Sequence, residues 1–151
     1  MAEEQESRVT TTVTWEQPKT DWKRTDKFNF VDYNRIKNNL LILSEMITII
    51  KKGIRIEDMG ADITNYTEYW QVSVFNSFEK NLEIIAKEIK QLYETDYGRT
   101  QTFFANGVFI KYDELNRIES ATFDIYKKIT YYAKGLRKIP FVLGRFREVR
   151  V

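Results

Sequence analysis

The strongest constraint on the fold is a capped amphipathic helix that occurs twice, at residues 28–55 and 110–137. Adding 82 to a residue number in the first copy gives the matching position in the second, so Asn-Arg-Ile at 34–36 recurs at 116–118. The repetition covers the residues that start, pack and end a helix. It predicts two copies of one packing unit.

Both copies carry helix-capping signals. Asn29 is placed to be the N-cap and Asp32 to complete a capping box, because a side-chain oxygen at each position can accept a backbone N–H of the first turn. Gly53 is placed to end the helix, since glycine tolerates the left-handed conformation. Glu114 and Gly135 are predicted to take the same roles as Asp32 and Gly53 in the second copy.

Each copy has an apolar seam whose spacing alternates between three and four residues, as in a helix packed along one face. A third helix with the same alternation is predicted between the copies, which gives helices at 30–52, 66–94 and 112–134. The seams contain Tyr33, Ile36, Leu40, Leu43, Ile47 and Ile50 in the first helix, Phe75, Phe78, Leu82, Ile85, Ile89 and Leu92 in the second, and Leu115, Ile118, Thr122, Ile125, Ile129 and Tyr132 in the third. We predict a mainly α protein with three long helices in a bundle.

A minor β part is also predicted. Residues 8–15 alternate β-branched side chains, and Asn106-Gly107 between two apolar runs predicts a β-hairpin at 102–110. A second terminal strand is predicted at 141–150. The chain thus divides into an N-terminal strand and loop arm (1–27), a helical domain (28–137) and a C-terminal strand arm (138–151), whose strands pair within the chain or with another subunit.

Composition excludes much of enzyme chemistry. The chain has no Cys and no His, which removes Cys/His zinc sites, thiol nucleophiles and imidazole bases. The net charge of +2 gives no strong field that would attract nucleic acid or an anionic membrane. The most apolar stretch, residues 40–50, is far shorter than the roughly 20 residues that a membrane helix needs. We expect a soluble protein with no catalytic residue, metal or cofactor.

The repeated Asn-Arg pair has two interpretations. In the first, Asn34, Arg35, Asn116 and Arg117 form a paired ligand site that faces a common partner. In the second, which we favour, each Arg pairs with the acidic residue three positions earlier, and each Asn bonds to the loop that enters its helix. The adjacent acids at 57–58 and 113–114 are interpreted as solvated surface, and the acids at 58–62 lack the ligand pattern of a calcium loop.

Aromatic residues are more numerous than a three-helix core requires, so some are predicted to form a subunit interface. The candidate interface residues are Trp15, Trp22, Tyr69, Trp70, Phe103, Phe104, Phe141, Phe146, Arg145 and Arg147. The C-terminal basic stretch with interleaved Phe also fits a nucleic-acid strip. Glu148 interrupts it, and a β-edge protected by arginines explains the same pattern.

The run TWEQPKTDWKRTDKFNFVDYNRIKNNLLIL at 14–43 resembles a segment of small structural proteins of tailed phages and prophages of Gram-positive bacteria. In these a Trp-containing loop and an aromatic-x-aromatic-x-Asp-x-Asn-Arg-Ile start lead into a helix, and IKYDELNRIES at 110–120 is similar. The resemblance implies a non-enzymatic subunit of a phage tail, baseplate or phage-tail-like particle, made in the bacterial cytoplasm. Its partners would be other particle proteins and symmetric or multiple copies of itself. The alternative is a small nucleic-acid-associated regulatory protein that uses the basic C-terminal strip.

Overall fold

Three α-helices make up the folded part of this chain. The computed structural model describes residues 13–50, 53–65, 72–90, 97–98, 100–103 and 110–136. Helix α1 spans Phe30–Ile50, α2 spans Val72–Ile89 and α3 spans Tyr112–Leu136. They pack around one apolar core, which confirms the predicted three-helix bundle. None of the helices in these ranges is long and apolar enough to cross a bilayer.

The helix ends differ in detail from the sequence prediction. The outer parts of the predicted second helix, 66–71 and 91–94, lie outside the described residues, as do residues 51–52. Gly53 has a left-handed φ of 94°, as expected for a residue that follows a helix. The prediction that Gly135 ends the third helix is wrong, because α3 continues through it to Leu136. A glycine inside a helix lowers the stability of the fold by only about 0.5–1 kcal/mol relative to alanine, so a helix can continue through it.

The described residues contain no β-strand. The predicted strand at 8–15 is described only at 13–15 and the predicted hairpin at 102–110 only at its ends, and none of these residues is in a strand. The backbone of Glu16 and Phe103 is bonded instead to asparagine side chains from the helices. The remainder of the hairpin and the predicted strand at 141–150 lie outside the described residues.

All three helices run in the same direction. Tyr33 and Phe75 are each the fourth residue of their helix, and their ring centroids are 6.0 Å apart. An ion pair joins Arg35, the sixth residue of α1, to Glu119, the eighth residue of α3. A second ion pair joins Arg117, the sixth residue of α3, to Glu79, the eighth residue of α2. These contacts place the starts of all three helices at the same end of the bundle. Because the helices also pack side by side around one core, they run in the same direction. The chain therefore has to return to the starting end of the bundle after α1 and again after α2.

The predicted seams supply most of the core, which also includes Trp22, Met59 and Ile63 from outside the helices. All of the following seam residues are at most 4% exposed: Tyr33, Ile36, Leu40, Leu43 and Ile47 in α1, Phe75, Phe78, Leu82, Ile85 and Ile89 in α2, and Leu115, Ile118, Thr122, Ile125 and Ile129 in α3. The aromatic rings are concentrated near the helix starts, where Phe75 contacts both Tyr33 and Phe28. Apolar residues at three-four spacing place one stripe of each helix against the other two, and burial of these stripes holds the bundle together.

Candidate functional site

Asparagine side chains attach non-helical segments to the bundle. We call an Asn an asparagine clamp when its side-chain amide bonds both backbone groups of one residue in such a segment. Asn39 accepts from Glu16 N–H at 3.0 Å and donates to its carbonyl at 2.8 Å. Asn116 does the same to Trp22, at 2.7 and 3.0 Å. Residues 16–22, the first bridging segment, therefore connect α1 to α3.

Two further segments are held in the same way. In the second bridging segment, residues 57–63, Asn81 clamps Glu57 and Asn34 clamps Ile63, with all four bonds between 2.7 and 2.9 Å. In the third, residues 97–103, Asn76 clamps Phe103 at 2.8 and 3.0 Å. At its other end the carbonyl of Tyr97 accepts from Arg117 Nη1 at 2.9 Å. The second segment thus connects α2 to α1, and the third connects α3 to α2.

The clamps show that the unit occurs three times. Asn34, Asn76 and Asn116 are each the fifth residue of their helix, and the tenth residues are Asn39, Asn81 and Ala121. Each bridging segment is attached to the helices at two residues that are six positions apart in the sequence. These pairs are Glu16 and Trp22, Glu57 and Ile63, and Tyr97 and Phe103. A segment and its following helix form the repeated unit, and each segment lies across two neighbouring helices. The three units are therefore arranged cyclically around the bundle.

This arrangement decides between the two interpretations of the repeated Asn-Arg pair. Asn34 and Asn116 bind backbone rather than facing a common ligand site, so the structural interpretation is confirmed. The expectation that each Asn bonds the loop entering its own helix is wrong. Asn34 binds Ile63, which follows α1, and Asn116 binds Trp22, which precedes α1. The parallel helices bring these distant segments beside the first turns.

A buried ion-pair network joins α1 to α3. The Glu119 side chain is 2% exposed and accepts from Arg35 Nε at 2.7 Å and from Arg35 Nη2 at 3.0 Å. It also accepts from the indole Nε1 of Trp22 at 2.5 Å. Arg35 reaches Asp32 at 2.9 Å in the expected i, i+3 pair. Burial lowers the pKa of Arg35, but the hydrogen bonds to Glu119 and Asp32 outweigh it and raise that pKa above its ordinary value.

An equivalent network joins α3 to α2. Arg117 pairs with Glu114 at 2.7 Å, the second expected i, i+3 pair, and it donates to the buried carboxylate of Glu79. Burial raises the pKa of Glu79, and the Arg117 guanidinium opposes this shift only partly. Gly98 lies against the same Arg117 with a left-handed φ of 74°. Arg117 therefore holds both a neighbouring helix and the third bridging segment.

In α1, the position equivalent to Glu79 and Glu119 carries the opposite charge. Lys37 is the eighth residue of α1, as Glu79 and Glu119 are of α2 and α3, and its side chain is 3% exposed. Its ammonium pairs with Asp62 and donates to the Gly60 carbonyl at 3.3 Å. It thus anchors the second bridging segment. All three eighth residues are buried ions that fasten part of the bundle.

The predicted cap residues have defined partners at the first helix. Asn29 Oδ1 accepts from Val31 N–H at 2.8 Å and from Asp32 N–H at 3.4 Å, while Asp32 Oδ2 accepts from Asn29 N–H at 3.1 Å. These reciprocal bonds form a capping box with Asp in the usual Glu position. Glu114 pairs with Arg117 in the first turn of α3.

The predicted interface residues that can be placed lie inside the chain's own packing. Trp22 is 4% exposed, and the ring of Trp15 stacks on Tyr126 with centroids 3.8 Å apart. Phe103 is half-buried at its clamp. The others lie outside the described residues: Tyr69, Trp70, Phe104, Phe141, Phe146, Arg145 and Arg147. Exposed aromatic surface is instead found at Tyr112, which is 45% exposed, and Tyr131, which is 69% exposed.

Sequence reasoning missed the residues that complete the three-unit arrangement: Asn39, Asn76, Asn81, Lys37, Glu79 and Glu119. A signal was present, because two asparagines five positions apart occur at 34 and 39 and again 42 positions later. It was obscured in α2 by Ser77, which stands where the other helices carry Arg35 and Arg117.

The acidic residues singled out in the sequence have local roles. Asp58 Oδ1 accepts from Gly60 N–H at 2.8 Å, and Asp62 pairs with Lys37. Within the described ranges no group of three or more acidic side chains is placed to hold a metal ion. Comparison of the chain with known protein families, curated proteins and solved structures finds no match.

Proposed function

We propose that this chain is a non-enzymatic structural subunit of a phage tail, baseplate or phage-tail-like particle, present in several copies per particle. The resemblance of residues 14–43 and 110–120 to small phage structural proteins motivates the assignment. The localisation that goes with it is the assembled particle, with synthesis in the bacterial cytoplasm. The partners are other particle proteins and further copies of this chain.

One observation carries the proposal: the repeated polar residues fasten segments to helices. Asn34 and Asn116 clamp backbone, and Arg35 and Arg117 each join one helix to the next. The side chains best suited to chemistry thus have partners within the fold. This supports a function that resides in surfaces and arms rather than in a reactive cleft.

Exposed apolar residues are the surfaces on which we place contacts with neighbours. Ile49 and Tyr131 occupy the same position in the first and third units, since they differ by 82, and they are 39% and 69% exposed. Val31 and Tyr112, near the helix starts, are 51% and 45% exposed. Burial of side chains of this size against a partner contributes favourably to the free energy of binding, because it removes apolar surface from water. The predicted strand at 141–150 supplies a further contact in this proposal.

Co-purification with particles tests the proposal. Particles from an induced source strain are separated on a density gradient, and the chain is measured in each fraction by quantitative mass spectrometry. We expect it to follow the particle peak at a constant copy number. The same measurement on Tyr131→Ser should show a lower copy number while circular dichroism shows a folded chain, whereas Lys127→Ser, an exposed control on the same helix, should behave as the wild type. A chain that stays at the top of the gradient would overturn the assignment.

A further inference from the structure

We propose that a cleft at the start of α3 binds an acidic, partly apolar peptide segment of a neighbouring particle protein. The inference rests on the proposed function, because it names the chemistry of one partner and the place where that partner binds. We call this site the cationic cleft, and it lies between the turn at residues 23–26 and the first turn of α3. Its volume of about 570 Å³ is within the range of ligand pockets in proteins, about 300–1,000 Å³.

The cationic cleft has an apolar floor and a charged rim. Two buried apolar side chains, Ile110 and Leu115, form the floor. Lys23, Arg24 and Lys111 are on the rim, and all three are exposed. Among the residues that the structure describes, none of these three cations has an ion-pair partner. Unpaired cations beside apolar surface favour a ligand that carries carboxylates next to an apolar side chain.

Two acidic residues also line the cleft, and they narrow the choice of ligand. Asp26 pairs with Lys19 at 3.1 Å and accepts from Lys23 N–H at 2.9 Å. Asp113 accepts from Glu114 N–H at 3.0 Å. A continuous phosphate backbone along the cleft would be repelled by both acids, whereas separate carboxylates can pair with the cations and avoid the acids. The ligand is therefore an acidic peptide segment rather than a nucleic acid.

Lys111 is at a position where folding alone favours a different residue. Its carbonyl accepts from Leu115 N–H at 3.1 Å, so it is the N-cap of α3, just as Asn29, which accepts from Tyr33 N–H at 3.1 Å, is the N-cap of α1. The Asn29 side chain also caps two N–H groups, whereas a Lys side chain has no acceptor. The positive charge of Lys111 is also unfavourable beside the positive end of the helix dipole. A residue that weakens a helix start and adds a cation to a cleft is typical of a binding site.

Lys111→Asn in the full-length chain separates binding from folding. Asparagine restores the capping acceptor, so the melting temperature should rise by about 2–4 °C. The substitution also removes a cation from the cleft. In a fluorescence anisotropy titration with the fluorescein-labelled peptide Gly-Asp-Glu-Phe-Glu-Asp-Gly, the variant should bind at least about five-fold more weakly than the wild type. A variant that binds this peptide as tightly as the wild type would overturn the proposal.

Matched controls test the place and the charge. Lys134→Asn makes the same substitution at an exposed position in the last turn of α3, and it should leave peptide binding unchanged. Arg24→Gln, on the rim of the cleft, should weaken binding as Lys111→Asn does. The neutral peptide Gly-Asn-Gln-Phe-Gln-Asn-Gly should bind at least about five-fold more weakly than the acidic one. Equal binding of the two peptides, or tighter binding of oligothymidylate than of the acidic peptide, would refute the proposal.

The peptide titrations need no particle, so they are independent of the density-gradient experiment. A chain that binds the acidic peptide through Lys111 but stays at the top of the gradient would refute only the proposed function. A chain that follows the particle peak but binds the peptide no more tightly than Lys111→Asn does would refute only the cationic cleft as a binding site.

Discussion

The side chain of Asn116 bonds both backbone groups of Trp22, a residue 94 positions earlier in the chain, at 2.7 and 3.0 Å. This clamp fixes the first bridging segment against α3 and delivers the Trp22 indole to Glu119. It is one of five such clamps in the described part of the chain. Together they account for the asparagines at the fifth position of all three helices and at the tenth position of two.

Removing the Asn116 clamp should destabilise the fold. Asn116→Ala deletes one acceptor and one donor and leaves the Trp22 backbone groups without those partners, so we expect the free energy of unfolding to fall by about 1–3 kcal/mol. Urea denaturation followed by Trp fluorescence measures it. Asn38→Ala is the matched control, because Asn38 reaches Asp62 at 3.5 Å on the surface, and it should change stability by less than about 0.5 kcal/mol. Equal effects of the two substitutions would contradict the clamp.

The Arg35–Glu119 ion pair should show strong energetic coupling. Arg35 and Glu119 side chains are only 11% and 2% exposed, so removing either one leaves a buried charge, and each Ala variant should lose roughly 3–5 kcal/mol. A double-mutant cycle should give a coupling energy above about 1 kcal/mol. The surface pair Lys87–Glu83, at 2.5 Å with Lys87 65% exposed, is the comparison and should couple by at most about 0.5 kcal/mol. Similar coupling in the two pairs would argue against a buried network.

Local periodicity predicted the core, whereas the clamps depend on tertiary contacts that periodicity does not encode. Ile36, Leu40 and Leu43 follow from three-four spacing, because this spacing alone decides which face of a helix is apolar. The sequence did not predict that Trp22 is buried, since its place depends on Asn116 and Glu119 in a helix far along the chain. The parallel direction of the helices was likewise not predictable from any one seam. The α2 unit was missed because Ser77 stands in α2 where the other two helices carry an Arg. Lys37 likewise stands in α1 where the other two helices carry a Glu, so neither position repeats in all three helices.

Glu79 should make the stability of this protein depend on pH. Burial raises its pKa in the folded state, so the folded protein binds this proton more tightly than the unfolded chain. Protonation of Glu79 therefore favours folding, and its contribution grows as the pH falls through the raised pKa toward the ordinary value of 4.5. Relative to Glu79→Gln, the wild type should gain stability over that pH range, as measured by urea denaturation at a series of pH values.

Glu83 supplies a control of opposite sign on the same helix. Its hydrogen bond from Lys87 lowers its pKa, so its contribution is present at neutral pH and is lost as the pH falls through that lowered pKa. The difference between wild type and Glu83→Gln should therefore shrink on acidification. If both differences moved in the same direction, the burial of Glu79 would not be the source of the effect.

Gly98 should tolerate no side chain. Its φ is 74°, and an added Cβ would lie 2.6 Å from Cδ of Arg117. Gly98→Ala should therefore lower the free energy of unfolding by about 1–3 kcal/mol from backbone strain, with a further loss from displacing Arg117. Gly53→Ala is the control, because Gly53 has a similar φ of 94° but nothing within 4 Å of the added atom. Thermal melts in which Gly53→Ala is as destabilising as Gly98→Ala would exclude a steric role for Arg117.

Ala121 marks the one place in the three units where a clamp is missing. It is the tenth residue of α3, matching Asn39 and Asn81, and a cleft beside it is lined by Tyr97, Gly98 and Arg117. Ala121→Asn would place an amide opposite the backbone of Tyr97, as Asn39 is opposite Glu16. The new amide would accept from the Tyr97 N–H and share with Arg117 the Tyr97 carbonyl, which already accepts from Arg117 Nη1. One new hydrogen bond of about 1 kcal/mol and a weaker shared one exceed the roughly 0.7 kcal/mol helix-propensity loss, so the variant should be more stable by up to about 1 kcal/mol. Ser120→Asn, an exposed control on the same turn, should show no gain in urea denaturation. A less stable Ala121→Asn would mean that Arg117 already occupies the position that the clamp would take.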